Sequence, residues 1–215
     1  MTGSTAPARP APRVTGVERA LGPKRQKYQA EFDLLVTAAR GVMTTQGSVD
    51  ATVAQVLEAA GLSTSAFYRH FPTKDDLLLE LVKQAGANTR AFLSHRLDEQ
   101  TTAPARVRAW IEGMFALLGT KRALRANRPF LLAHPRLVER FPDEIERNIE
   151  LLVGPLADAI GDIRQPGEAA IGDALLIHHQ VFGILLDRAA MNRLTDPTEV
   201  ERVVEFSFRA LRAGD

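Results

Sequence analysis

From Lys27 to the end of the chain, apolar residues recur at three- and four-residue spacings, and no stretch alternates with period two for long. A side chain returns to the same face of an α-helix every 3.6 residues and to the same face of a strand every second residue, so this pattern predicts an all-α fold. The helices are expected at about 27–45, 52–59, 64–71, 74–97, 104–120, 122–134, 143–160, 168–191 and 197–212, with Pro155 kinking or splitting the seventh. Ahead of them, residues 1–24 hold Pro7, Pro10, Pro12 and Pro23 with no apolar period, and read as a disordered basic tail. At 215 residues the chain has room for a small domain and a larger one. The boundaries fall at 1–24 for the tail, 25–75 for a three-helix unit and 76–215 for the remainder.

Several function classes drop out. The 215 residues include no cysteine, which removes disulfides, thiolate metal sites and cysteine nucleophiles. There is no Gly-x-Ser-x-Gly elbow, no Gly-x-x-x-x-Gly-Lys loop and no His-Glu-x-x-His, so the reading is no enzyme, no catalytic residue, no cofactor and no metal. His178 and His179 are neighbours that point in different directions on a helix, unlike an i, i+4 ligand pair. No apolar run of about 20 residues and no signal-like N-terminus are evident, so the expectation is a cytoplasmic protein with no membrane association.

Charge is uneven along the chain. Residues 1–74 carry nine Lys/Arg against five Asp/Glu, while the whole chain has 27 against 26. A polyanion would therefore meet the N-terminal third. That third contains two short helices joined at Gly61, where a glycine permits a sharp turn, with Thr52 and Ser63 placed as N-caps. In the second of these helices Ala66, Phe67 and Phe71 form an inward face, leaving Thr64, Ser65, Tyr68, Arg69 and His70 outward. This is the layout of a helix-turn-helix, whose second helix enters the DNA major groove. Thr73, with Asp76 three residues on, caps the long helix that follows.

The stretch from Thr52 to Leu78, TVAQVLEAAGLSTSAFYRHFPTKDDLL, with Leu35–Ala39 and Gly47 before it, resembles the DNA-binding domain of the TetR family of transcriptional regulators. The resemblance covers about Lys27 to Val82. It departs from the usual pattern at Met43, Ser48, Gln55, Leu57 and Thr64. It implies that Thr52 caps its helix while touching a phosphate, that Tyr68 and His70 hold the DNA backbone, and that Lys74 adds charge at a helix N-terminus. Thr64, Ser65 and Arg69 are then candidates for base edges, with Arg69 able to serve a guanine or a phosphate. The alternative for Tyr68 and His70 is a pair of partly buried spacers. Lys24, Arg25 and Lys27 are either a minor-groove arm or part of a solvated tail.

Beyond residue 83 the resemblance supplies only an expectation of effector binding and dimerisation. Periodicity supports the homodimer independently, because the helix at 168–191 is apolar on two sides and needs two partners. The candidate interface is Ala174, Ile177, Val181 and Ile184, joined by Val203, Phe206 and Leu211. The candidate ligand-binding residues are Trp110, Met114, Phe115, Phe130, His134, His178 and Phe182, a lining suited to an apolar effector of fatty-acyl, steroid-like or aromatic type with one polar end. Arg128, Arg136 and Arg188 are expected to face solvent. The functional expectation is a ligand-responsive repressor that binds a palindromic double-stranded DNA operator. A ligand-free DNA-organising protein of the same fold, acting through protein partners, is the alternative.

Overall fold

In a computed structural model, which describes residues 16–164 and 166–212, the described residues form nine α-helices and one 3₁₀ turn, with no strand. The helices are α1 (Gly16–Gln46), α2 (Val53–Ala60), α3 (Thr64–His70), α4 (Lys74–Asp98), α5 (Ala103–Phe115), α6 (Lys121–Arg140), α7 (Pro142–Gly161), α8 (Glu168–Ala190) and α9 (Pro197–Arg212), and the 3₁₀ turn spans Ala116–Leu118. The all-α expectation holds.

Local rules account for the helix ends. Gly47 and Gly61 sit at φ 68° and 65°, the left-handed region where a side chain would be strained. Thr52 accepts a hydrogen bond from Gln55 N at 3.2 Å while Gln55 Oε1 accepts from Thr52 N at 2.8 Å, so the departure at Gln55 completes a reciprocal cap. Thr73 and Asp76 make the same exchange at the start of α4.

Three expectations need correction. The first helix begins at Gly16, so residues 16–24 are helical and not part of a tail, and Pro23 lies within α1. Gly16–Leu21 is rich in good helix formers, and α1 continues through Pro23 despite the lost hydrogen bond and ring clash that an interior proline brings. Lys24, Arg25 and Lys27 are exposed on this helix and do not form an extended arm. The tail at 1–15 lies outside the described residues. Next, α6 runs unbroken through Pro129 and Pro135 to Arg140, and α7 is not split at Pro155.

Packing divides into two apolar clusters. One joins α1, α2, α3 and the first turns of α4 through Leu35, Met43, Val56, Phe67, Phe71 and Leu77, and it also takes in Phe130, Ala133 and Leu137 of α6. The other fills the body around Trp110, Ile111, Phe115, Leu156 and Val181. So α6 belongs to both. Helix α8 is long and apolar enough to cross a membrane by length and composition alone. Its Ala170, Ala174, Ile177, His178, Val181, Leu185 and Ala189 are buried within the body, while Ile171 and Leu176 are exposed.

Candidate nucleic-acid interface and ligand cavity

Helix α3 is fixed by its inward face. Ala66, Phe67 and Phe71 are buried, and Ser63 Oγ accepts from Ala66 N at 3.3 Å. Thr64, Ser65, Tyr68 and Arg69 are exposed on the outer face, as is Thr52 at the start of α2. Tyr68 shows 56% of its surface, a large exposure for an aromatic ring with nothing to cover it. Lys74 is half-buried at the N-terminus of α4, where unpaired backbone N–H groups favour an anion.

His70 is a correction. Its side chain has no exposed surface. It lies against the ring of Tyr28, 4.1 Å between centroids, and edge-on to Phe32, with Nε2 3.4 Å from Glu31 Oε2. His70 is thus the spacer between α1 and α3, and its imidazole cannot reach a phosphate from this position. Arg69 is also tied to α1, through an ion pair with the same Glu31 oxygen, though half of its side chain remains exposed. The Arg69 guanidinium holds Glu31 below the usual carboxylate range, with a further contribution from His70. Glu31 was missed by the sequence reading because its partners lie 38 and 39 positions away.

In the body, a cavity of about 80 Å³ lies between α4, α6, α7 and α8. Met114, Phe130, His134, His178 and Phe182 line it, which is five of the seven residues expected. Trp110 and Phe115 do not. Trp110 is fully buried and donates from Nε1 to the Leu152 carbonyl at 3.1 Å, and Phe115 is packed in the core. His178 stacks on Phe182 at 5.5 Å and 13°, and its Nδ1 is buried without a hydrogen-bond partner among the described residues. Burial pushes the His178 imidazole down to about 4, helped by the nearby His179 and His134, and burial also lowers His134. Both rings are therefore neutral at neutral pH.

The lining contains no Lys, Arg, Asp or Glu, but it does contain Thr89, Asn127 and Asn148. Those amides and the hydroxyl are polar groups that the search for aromatics overlooked. Arg136 is exposed, as expected, while Arg128 and Arg188 are half-buried, and all three make specific contacts. Arg128 donates from Nε to Ala189 O at 2.8 Å and from Nη1 to Gly47 O at 3.3 Å. Arg136 and Arg140 hold the two oxygens of buried Asp75 at 2.5 and 2.9 Å, and Arg188 pairs with Glu199.

Of the candidate interface set, Ala174, Ile177, Val181, Val203 and Leu211 are buried within the protomer. Ile184 is half-buried, and only Phe206, 53% exposed, stands clear. The uncovered side of α8 is a different stripe, Gly172, Leu176, His179 and Gly183, with Leu176 at 69% exposure. Two glycines and a histidine hide such a stripe from any scan for apolar residues.

A helix-turn-helix with an exposed second helix, mounted on a helical body that encloses a cavity, defines a DNA-binding regulator of transcription. Residues 35–81, which span the helix-turn-helix head, match the family model of the bacterial regulatory proteins of the tetR family. It is 25% identical over 165 residues to the fatty acid metabolism regulator protein of Bacillus subtilis (strain 168), covering 75% of this chain and 81% of that one. Among solved structures, a TetR transcriptional regulator from Rhodococcus sp. RHA1 has a TM-score of 0.65 at 17% identity, over 86% of this chain and 97% of its own. The fatty acid degradation regulator FadR from Bacillus halodurans has a TM-score of 0.63 at 16% identity, over 82% and 94%. These structural likenesses concern the fold.

Proposed function

We propose that the protein is a homodimeric repressor that binds a palindromic operator and releases it when a largely apolar small molecule enters the cavity. The observation that carries this reading is that α4 and α6 line the cavity and also belong to the core of the helix-turn-helix head. A ligand that shifts either helix must move the recognition helix with it. The Bacillus subtilis relative, by its name a regulator of fatty acid metabolism, adds support for an apolar effector.

The homodimer forms through the stripe Gly172, Leu176, His179 and Gly183 of α8 with Phe206 of α9, where the glycines allow close helix approach. Its two-fold axis presents two copies of α3 to successive major grooves. Thr52, Tyr68 and Lys74 contact phosphates, while Thr64 and Ser65 face base edges. Arg69 reaches DNA only by leaving Glu31, and the neutral, uncharged cavity lining selects against an effector with an unpaired buried ion.

Selection from random DNA tests the assignment. Tyr68→Phe and Lys74→Ala should weaken binding to every sequence alike, because phosphate contacts position the protein and carry no sequence information. Thr64→Ala and Ser65→Ala should alter the selected consensus, and an unchanged consensus for both would remove α3's first turn from base readout. Lack of a two-fold repeat in the selected sites would defeat the palindromic dimer.

A further inference from the structure

The cavity has a second compartment outside it. Helices α4 and α7 cross at Gly86 and Asn148, and both residues line the cavity on its inner side. On the outer side a groove of about 350 Å³ is lined by Lys83, Ala87 and Arg90 of α4 and by Glu144, Arg147, Asn148 and Leu151 of α7. Asn148 is thus shared by an interior site without charge and an exterior groove with three cations and one acid. Glu144 lies 3.6 Å from Arg147 and offsets one of the cations, leaving a positive excess.

The partition between them is thin. A Cβ on Gly86 would sit 2.7 Å from Nδ2 and 2.8 Å from Cγ of Asn148, so the amide rests directly on the α4 backbone. Asn148 is therefore the side chain that borders both compartments.

We propose that the effector is an amphiphile, its apolar chain in the cavity and an anionic head group, phosphate or carboxylate, in the Lys83–Arg90–Arg147 groove. This rests on the reading of the cavity as the effector site and specifies which molecules it admits. An ion cannot enter the uncharged interior cheaply, whereas outside it remains hydrated and gains from the cations. The division also explains why no arginine faces the cavity.

The test uses the full-length protein and calorimetric titration of octyl phosphate, octanoate, 1-octanol and inorganic phosphate. Octyl phosphate should bind about tenfold more tightly than 1-octanol, the scale that one or two exposed ion contacts supply, with octanoate between them and inorganic phosphate far weaker. The double substitution Arg90→Glu and Arg147→Glu, both exposed, should abolish the advantage of the anions and leave 1-octanol unchanged. Equal affinities for octyl phosphate and 1-octanol would overturn the head-group assignment while leaving the cavity as an apolar site. An anion preference that survives the double substitution would overturn it too, as would inorganic phosphate binding as tightly as octyl phosphate. Failure of all the alkyl compounds to bind would overturn both this inference and the cavity reading beneath it.

Discussion

Acidification should destabilise this protein well above the carboxylate range, and His178 is the reason. In the folded state its pKa is about 4, against 6.5 for an ordinary histidine, because the ring is buried against Trp110 and Phe182. Between those two values the unfolded chain binds a proton that the folded chain refuses, so stability is complete above about pH 6.5 and is lost as the pH falls toward 4. From pH 7 to pH 5 the loss from this residue is about 2 kcal/mol. His134, lowered in the same sense by burial, adds to it. The carboxylates Glu31 and Glu201, lowered from the ordinary 4.5, and Asp196, lowered from 3.8, contribute only at lower pH. Urea unfolding at fixed protein concentration, at half-unit steps from pH 7.5 to 5, measures the effect. His178→Phe keeps an aromatic ring beside Phe182 and should flatten most of the slope. Parallel profiles for wild type and variant over that range would show that His178 is not a buried neutral imidazole.

Three other outcomes follow from specific contacts. Glu31→Gln releases Arg69 from its ion pair, so affinity for DNA should rise severalfold with a steeper salt dependence, measured by fluorescence anisotropy at two salt concentrations; unchanged affinity and slope would mean that Glu31 does not restrain Arg69. Asp75→Asn weakens the hold of Arg136 and Arg140 on the start of α4 and should cost about 2 kcal/mol in denaturant unfolding, since hydrogen bonds to charged groups contribute more than neutral ones. Leu176→Asp or Phe206→Asp should leave a folded monomer in sedimentation at micromolar concentration, whereas a dimer that survives both would move the interface off this face.

What the sequence made legible is what local chemistry dictates. Period, caps and turn glycines indicated all nine helices, though not the start of α1 or the end of α6, and the inward face of α3 was readable because seven residues suffice to show it. Long-range pairing was not readable. His70 looks outward by period, yet Tyr28, Phe32 and Glu31 reach across from α1 and enclose it. On α8 the apolar stripes were evident, but period cannot say which stripe meets the protomer's own core; burial shows that both do, and that the free side is the small-residue stripe around Leu176. Asn148 and Gly86 gave no signal at all, since their importance comes from a crossing of two helices about 60 positions apart.

Cavity size bears on how release would work. At roughly 10–15 Å³ for each water-sized position, 80 Å³ accommodates about five to eight non-hydrogen atoms, and a steroid does not fit without rearrangement. A ligand that merely fills the space makes the same contacts whether or not the head moves, and a ligand with equal affinity for two states shifts neither. A longer chain that stays within the cavity must push α6 and α4 apart. Those helices are tied to the head by Arg128 on the Gly47 carbonyl and by Arg136 and Arg140 on Asp75, so displacement strains these contacts before it strains the core. Tenfold release of operator needs about 1.4 kcal/mol of differential binding, and each extra methylene buried contributes about 0.8 kcal/mol. Two carbons beyond the filled length therefore provide the scale required. In a series of primary alcohols from hexanol to dodecanol, binding should appear early, while operator release should set in only past about eight carbons, a threshold drawn from the volume estimate above. Release that tracks affinity smoothly from the shortest member would show that filling, not overfilling, moves the head, and the strain argument through α6 would fail.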